Sequence, residues 1–157
     1  MADRAHTTKE VQLVIESELQ QLKERIIANH RTEGQVASGR TIESMQVEIT
    51  DDGGILWGRQ AFGTLETGRK GGNVPKGFYH IILQWVKDKG LDAQVDNPKT
   101  FAYFVSKKIA KEGTELYLAG GRNDIYTPEI KRTMESLADK ISAIFETDVE
   151  HINLNIT

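Results

Sequence analysis

The chain has no cysteine among its 157 residues and no apolar run long enough to span a membrane. Without cysteine it has no disulfide framework, no thiolate nucleophile and no zinc-finger-type site. Its first ten residues lack the apolar core of a signal peptide. We therefore expect synthesis in a reducing cytoplasm and no membrane partner.

Recognisable catalytic groups are also scarce. The four histidines do not show metal-ligand spacing, and no serine lies in a G-x-S-x-G motif. Residues 63–70 approach a phosphate-binding loop, but arginine stands where that loop needs lysine. The triplet E-I-K at 129–131 matches half of a nuclease metal site, although a carboxylate is expected at a helix start. We expect no enzymatic activity, no cofactor and no metal.

What is present fits one globular domain that spans residues 1–157. Hydrophobic residues make up 38% of the chain and charged residues 27%, which is typical of a folded protein rather than a disordered one. A chain of this length is one domain in size and buries about two-thirds of the surface of its unfolded form. We find no internal repeat and no low-complexity tract.

Charge is distributed unevenly along the chain. Residues 1–67 carry 7 Lys and Arg against 11 Asp and Glu, residues 68–111 carry 9 against 3, and residues 112–157 carry 4 against 9. A basic middle segment between acidic ends could contact nucleic acid. It could equally meet the acidic surface of a neighbouring copy, or simply form the solvated faces of two helices.

Apolar residues at steps of three and four predict four helices. The first begins near Thr7, which forms a capping box with Glu10, and with its connector it covers residues 1–37. The second follows Pro75 and stops at Gly90, and the third starts at Asn97-Pro98 and stops at Gly113. The last starts at 127–129 and has the apolar seam Ile130, Met134, Leu137, Ile141 and Ile144.

Strict alternation of apolar and polar residues predicts strands. Residues 43–61 read as a β-hairpin, with the turn D-D-G-G at 51–54. Ile152, Leu154 and Ile156 alternate in the same way, so we expect a C-terminal strand at 151–156 that joins the hairpin. Long glycine-rich loops are expected at 63–77 and 113–127. The predicted fold is α+β, a small antiparallel sheet packed by three to four helices.

Four short pieces of the chain carry a resemblance. They are F-G-T-L-E-T-G-R at 62–69, W-V-K-D-K-G at 85–90, I-A-K-E-G-T at 109–114 and G-G-R at 120–122. A proline-led helix, a second helix and a Gly/Arg loop follow one another from Val74 to Tyr126, and the resemblance covers roughly residues 40–145. In this order they resemble the neck proteins of tailed bacteriophages, also called head–tail joining, tail-completion or tail-terminator-like proteins. After the glycine-threonine the family often has proline-phenylalanine, where this chain has E-L-Y-L.

The resemblance implies a structural virion protein that forms a ring between the portal and the tail, or at the head-proximal end of the tail. Its partners are then other copies of itself, other neck, portal-proximal or tail proteins, and genomic DNA in the ring lumen. Charged residues of the two glycine-rich loops are the subunit-interface candidates: Glu66, Arg69, Lys70, Arg122 and Asp124. The alternative is a nucleic-acid-binding module that uses the basic segment 68–111.

Overall fold

The fold is α+β, as the sequence predicts, in a computed structural model that describes the backbone of residues 2–153 and the side chains of 8–147 and 149. Four long helices accompany one β-hairpin. The elements are α1 (Ala2–Thr32), α2 (Arg40–Glu43), β1 (Gln46–Thr50), β2 (Gly53–Trp57), α3 (Thr64–Thr67), α4 (Phe78–Asp88), α5 (Pro98–Glu112), α6 (Glu115–Leu118) and α7 (Thr127–Asn153). Short 3₁₀ turns lie at Gln60–Gly63 and Leu91–Ala93.

Helices α1 and α7 form a long antiparallel pair. Asn29 bonds to the carbonyl of Ile125, and Arg25 reaches both Glu129 and Thr133 one turn further along α7. Helix α1 begins at Ala2 rather than near Thr7, because alanine at positions 2 and 5 favours helix more than Thr7 favours a cap. The core of this half joins the two helices to the hairpin and contains Leu19, Leu22, Ile26, Met45 and Ile125.

The α7 residues that face α1 are not the apolar seam expected from the sequence. Contacts to α1 come from Glu129, Thr133, Ser136 and Lys140, a stripe offset by one residue from the predicted one. Polar and charged partners on α1 hold this stripe in place. The seam is therefore turned partly outward, and its residues Ile130 and Met134 are exposed.

The hairpin is confirmed, with strands shorter than the predicted 43–61. Gln46 pairs with Trp57 and Thr50 with Gly53. The predicted C-terminal strand at 151–156 is wrong: residues 151–153 continue α7, while 154–157 lie outside the described residues. Within the described chain the sheet has two strands. A continuing helix satisfies its backbone hydrogen bonds locally, whereas a third strand would have to reach the hairpin edge.

Helices α4 and α5 build a second hydrophobic cluster. Its buried members are Phe78, Ile82, Val86 and Ala102. Helix α5 starts where predicted, because the Asn97 side chain accepts a hydrogen bond from the amide of Thr100 and proline follows at the first helical position.

The two glycine-rich segments are not simple loops. Each contains a short helix, α3 or α6, and they pair with each other. The amide of Thr114 bonds to the carbonyl of Arg69 at 2.9 Å and the amide of Arg122 to the carbonyl of Glu66 at 2.8 Å. Gly113 has a φ of +97°, and a Cβ there would lie 2.6 Å from the carbonyl oxygen of Arg69. We call the paired segments 63–72 and 113–127 the loop junction.

Candidate assembly interface

The structure brings all five predicted interface residues to the loop junction. This junction lies between the α1–α7 half of the molecule and the α4–α5 half. Four of the five candidates make polar contacts there within their own chain, and those contacts decide which of them could also meet a neighbour.

Glu66 is an internal anchor rather than a surface residue. It is 3% exposed, and its Oε1 accepts the backbone N–H groups of Ile125, Tyr126 and Thr127 at 2.9, 2.7 and 2.9 Å. Its Oε2 accepts the hydroxyl of Thr127. These donors lie at the start of α7, where a helix leaves N–H groups unpaired and favours negative charge. Glu66 therefore caps α7 from a distant part of the sequence.

Its environment keeps this carboxylate ionised. Burial acts to raise the pKa of Glu66, but the hydrogen bonds from Thr127, Tyr126 and Ile125 outweigh burial and lower it. Burial and the nearby Glu66 charge in turn raise the pKa of the Tyr126 hydroxyl. Both carboxylate oxygens of Glu66 have partners within the chain, so it no longer serves as an interface candidate.

Arg122 and Asp124 belong to an ion-pair network. The Arg122 guanidinium donates to both oxygens of Asp124 and to the carboxylate of Glu33 at the end of α1. The hydrogen bonds from Arg122 lower the pKa of Asp124. The arginine thus ties the loop junction to α1, and its charge is already balanced within the monomer.

Arg69 and Lys70 differ in their surroundings. The Arg69 guanidinium lies 5.3 Å from the ring centroid of Phe78 and donates to the carbonyl of Asn73 at 2.8 Å. Lys70 pairs with Gly113 through its backbone alone, and its exposed side chain makes no ion pair with a described residue. Of the five candidates, Lys70 is the one whose charged side chain is exposed and makes no ion pair or hydrogen bond with a described residue.

An exposed apolar groove lies elsewhere, between the hairpin and α7. Trp57 and Ile130 form its rim and are 53% and 43% exposed. Between them opens a cavity of about 130 Å³. Its other walls are Leu22, Ile26, Met45, Leu56, Gly58 and Phe62. We call this feature the hairpin groove. The sequence predicts Ile130 as part of an apolar seam on the last helix. Its spacing alone does not show that α7 turns a polar stripe towards α1 instead.

A second exposed apolar surface lies on α5, on the side turned away from α4. Phe104 is 65% exposed and Tyr103 packs edge-on against it at 5.7 Å between ring centroids. The ammonium of Lys107 lies 5.7 Å from the centroid of the Tyr103 ring. We call these residues, with the neighbouring Lys108 and Lys111, the α5 face.

The described residues contain no group of three or more His, Cys, Asp or Glu residues placed to hold a metal ion. No helix in the described part of the chain combines the length and the apolar character needed to cross a membrane.

Comparison with known proteins gave no relative. The chain matches no family model, no curated protein and no solved structure.

Proposed function

We propose that this chain is a structural virion protein of a tailed phage. It forms a ring in the neck or at the head-proximal end of the tail, where it joins the portal and head to the tail. Its partners are further copies of itself and the adjoining neck, portal-proximal or tail proteins, with genomic DNA in the ring lumen. The proposed role is assembly, without enzymatic activity or a cofactor.

One observation carries this proposal: the chain exposes two apolar surfaces of different character. The hairpin groove is concave and adjoins an acidic hairpin, whereas the α5 face is convex and basic. A closed ring of identical subunits needs two unlike surfaces that meet each other, because each copy contacts its two neighbours through different patches. The sequence resemblance to neck proteins supports the same assignment.

The experiment is negative-stain microscopy of the purified protein beside intact virions. We expect purified protein to form rings whose diameter matches the collar between head and tail. Protein that stays monomeric at all concentrations, together with its absence from purified virions by mass spectrometry, would contradict the proposal.

The second candidate function is nucleic-acid binding through the basic segment 68–111. The α5 face favours it, because exposed aromatic rings beside lysines can stack on bases and contact phosphates. This candidate predicts that the isolated protein binds single-stranded DNA and that its affinity falls steeply with salt concentration. The ring proposal predicts no strong binding by the monomer, and fluorescence anisotropy across a salt series separates the two.

A further inference from the structure

We propose that the α5 face of one copy docks into the hairpin groove of the next copy, with the Phe104 ring in the cavity beneath Trp57 and Ile130. This inference rests on the proposed ring function and names the surfaces that would build the ring. Three properties of the two surfaces support it: their shapes, their charges and the inability of either to pair with itself.

The groove has the size and lining to accept an aromatic ring. Engineered apolar cavities of about 150 Å³ bind benzene, and the cavity here is about 130 Å³ with a lining of aliphatic and aromatic side chains. Trp57 is fixed at the rim because its indole N–H donates to the carboxylate of Glu48. Because Trp57 is fixed and the lining residues Leu22, Ile26 and Met45 are buried, the pocket is already formed in the free subunit.

Phe104 is suited to fill that pocket. It is the most exposed of the large apolar side chains recorded for the described residues. On the opposite side of the helix Ala102 and Ser106 are buried, and Ala102 packs in the cluster shared with α4. A ring that projects from a rigid helix loses little conformational freedom on docking, as in the anchor residues at the centre of protein interfaces.

The hairpin segment and helix α5 carry opposite charge. Residues 41–58, which contain the hairpin, carry four carboxylates and no lysine or arginine. Residues 98–112, which form α5, carry four lysines and one glutamate. Lys108 and Lys111 have carboxylate neighbours in their own chain at 3.5 and 3.6 Å, but these pairs are largely exposed. They therefore hold the lysines only weakly.

Neither surface is suited to bind its own copy. Two α5 faces would bring six lysines together, and two hairpin grooves would place acidic hairpins against each other, which is unfavourable across an interface. The complementary arrangement joins unlike patches from head to tail. This is the geometry that closes into a ring when the rotation between neighbours allows it.

The test uses the absence of cysteine from this chain. A variant with Lys107→Cys and Ile130→Cys keeps Phe104 and carries one thiol on each surface, because Lys107 is exposed one turn from Phe104 on the α5 face. A short bismaleimide should therefore link each copy to the next. It is applied to rings of the purified protein, or to virions assembled from the variant where the purified protein remains monomeric. We expect a ladder of dimers, trimers and larger products on a denaturing gel.

Controls separate the possible arrangements. The single variants Lys107→Cys and Ile130→Cys should give no ladder. The pair Leu118→Cys with Ile130→Cys should also give none, because Leu118 is exposed but lies on α6. Thermal melts of all variants should match the parent chain, since these positions are at the surface.

Three results would overturn the inference. Dimers formed by Lys107→Cys alone would assign the α5 face to a symmetric contact. Rings seen by microscopy without a ladder from the double variant would place the interface elsewhere and leave the ring function standing. Unchanged rings from Phe104→Ala, with loss of binding to short single-stranded DNA, would assign the face to nucleic acid. If neither the purified protein nor the virions contain rings of this chain, the proposed function is refuted, and the inference with it.

Discussion

A single carboxylate holds two distant parts of this chain together. Glu66 lies on the short helix α3, yet it accepts every backbone N–H at the start of α7 from Ile125 to Thr127. Ile125 beside it is fully buried in the first hydrophobic cluster. The charge of this one residue therefore sets where α7 begins and how the loop junction packs on the core.

Because Glu66 is buried, removing its carboxylate should destabilise the fold and leave the exposed surfaces of the molecule unchanged. We expect Glu66→Ala to lower the free energy of unfolding by about 3 kcal/mol, since an unsatisfied buried polar group costs about 1–3 kcal/mol and several are left here. Urea denaturation measures the effect. The matched control Glu146→Ala removes an exposed carboxylate from the same helix α7 and should change stability by less than about 0.5 kcal/mol. Equal effects of the two variants would contradict the anchor role.

The same residue makes stability depend on pH in a definite direction. The pKa of Glu66 in the folded protein is lowered, so the unfolded chain takes up the proton first as the pH falls below about 5, near the ordinary glutamate pKa of about 4.3. The stabilisation is complete above that value and is lost as the pH falls through the folded pKa.

Glu66→Gln should lack this part of the pH dependence. The variant has no titrating group at the site, so the stability difference between parent chain and variant should shrink as the pH is lowered from 7 towards 3. Glu18, whose pKa is lowered chiefly by its hydrogen bond from Lys140, adds a slope that both proteins share. A stability difference that stays constant over this range would show that the Glu66 charge does not stabilise the fold.

Two neighbouring cations of the loop junction should respond differently to charge reversal. Lys70→Glu should leave the free energy of unfolding within about 0.5 kcal/mol, because its side chain is exposed and unpaired among described residues. Arg122→Glu should lower the melting temperature, because it places a third carboxylate between Glu33 and Asp124. If the assembly role of Lys70 is correct, Lys70→Glu should still reduce ring formation. Thermal melts and microscopy of both variants measure the two effects.

At the scale of elements, the loop junction depends on the close approach of the Gly113 backbone to the carbonyl group of Arg69. Gly113→Ala should destabilise the chain by about 2 kcal/mol or more, because its φ of +97° and ψ of −177° form a backbone conformation almost confined to glycine, which costs other residues about 1–3 kcal/mol, and the new Cβ would press on the carbonyl of Arg69. Gly90 has a φ of +68° and a ψ of +18°, the left-handed helical conformation, with open space around it. Gly90→Ala is therefore the control without a steric clash and should cost only about 1–2 kcal/mol, the cost of that conformation. Hydrogen exchange should show faster exchange at Thr114 in the first variant alone.

The helices were predictable because their signals are local. Apolar spacing, the Asn97-Pro98 start and the stop at Gly113 each act within one or two turns, and α5 has the expected bounds. The hairpin was predictable from its alternation and its turn. Signals at the chain ends were weaker: three alternating apolar residues at 152–156 suggested a strand, while residues 151–153 continue the helix.

The candidate site was much less predictable because it depends on distant pairs. Nothing near Glu66 in the sequence indicates that it caps a helix about sixty residues away. The outward turn of Ile130 follows from the polar stripe that α7 presents to Glu18 and Arg25 on α1. Sequence periodicity reports an apolar stripe but not which partner covers it. The sequence therefore drew attention to charged residues of the glycine-rich segments, whereas the exposed apolar surfaces depend on contacts that spacing does not show.

At the scale of the whole molecule, the loop junction connects two halves that each carry a different exposed apolar surface. The loop junction connects the α1–α7 half to the α4–α5 half through backbone pairing and the Arg122 network. The hairpin groove belongs to the first half and the α5 face to the second. In the proposed ring, this connection sets the angle between the two contacts that each subunit makes, and so the number of subunits in the ring.

Gold labelling of intact particles tests the central claim most directly. In the proposed phage, particles are grown with an epitope-tagged copy of this chain and labelled with gold-conjugated antibody for electron microscopy. The ring account predicts gold confined to the junction between head and tail in nearly every labelled particle. Gold spread over the head or along the tail shaft, or virions that carry no label, would contradict it.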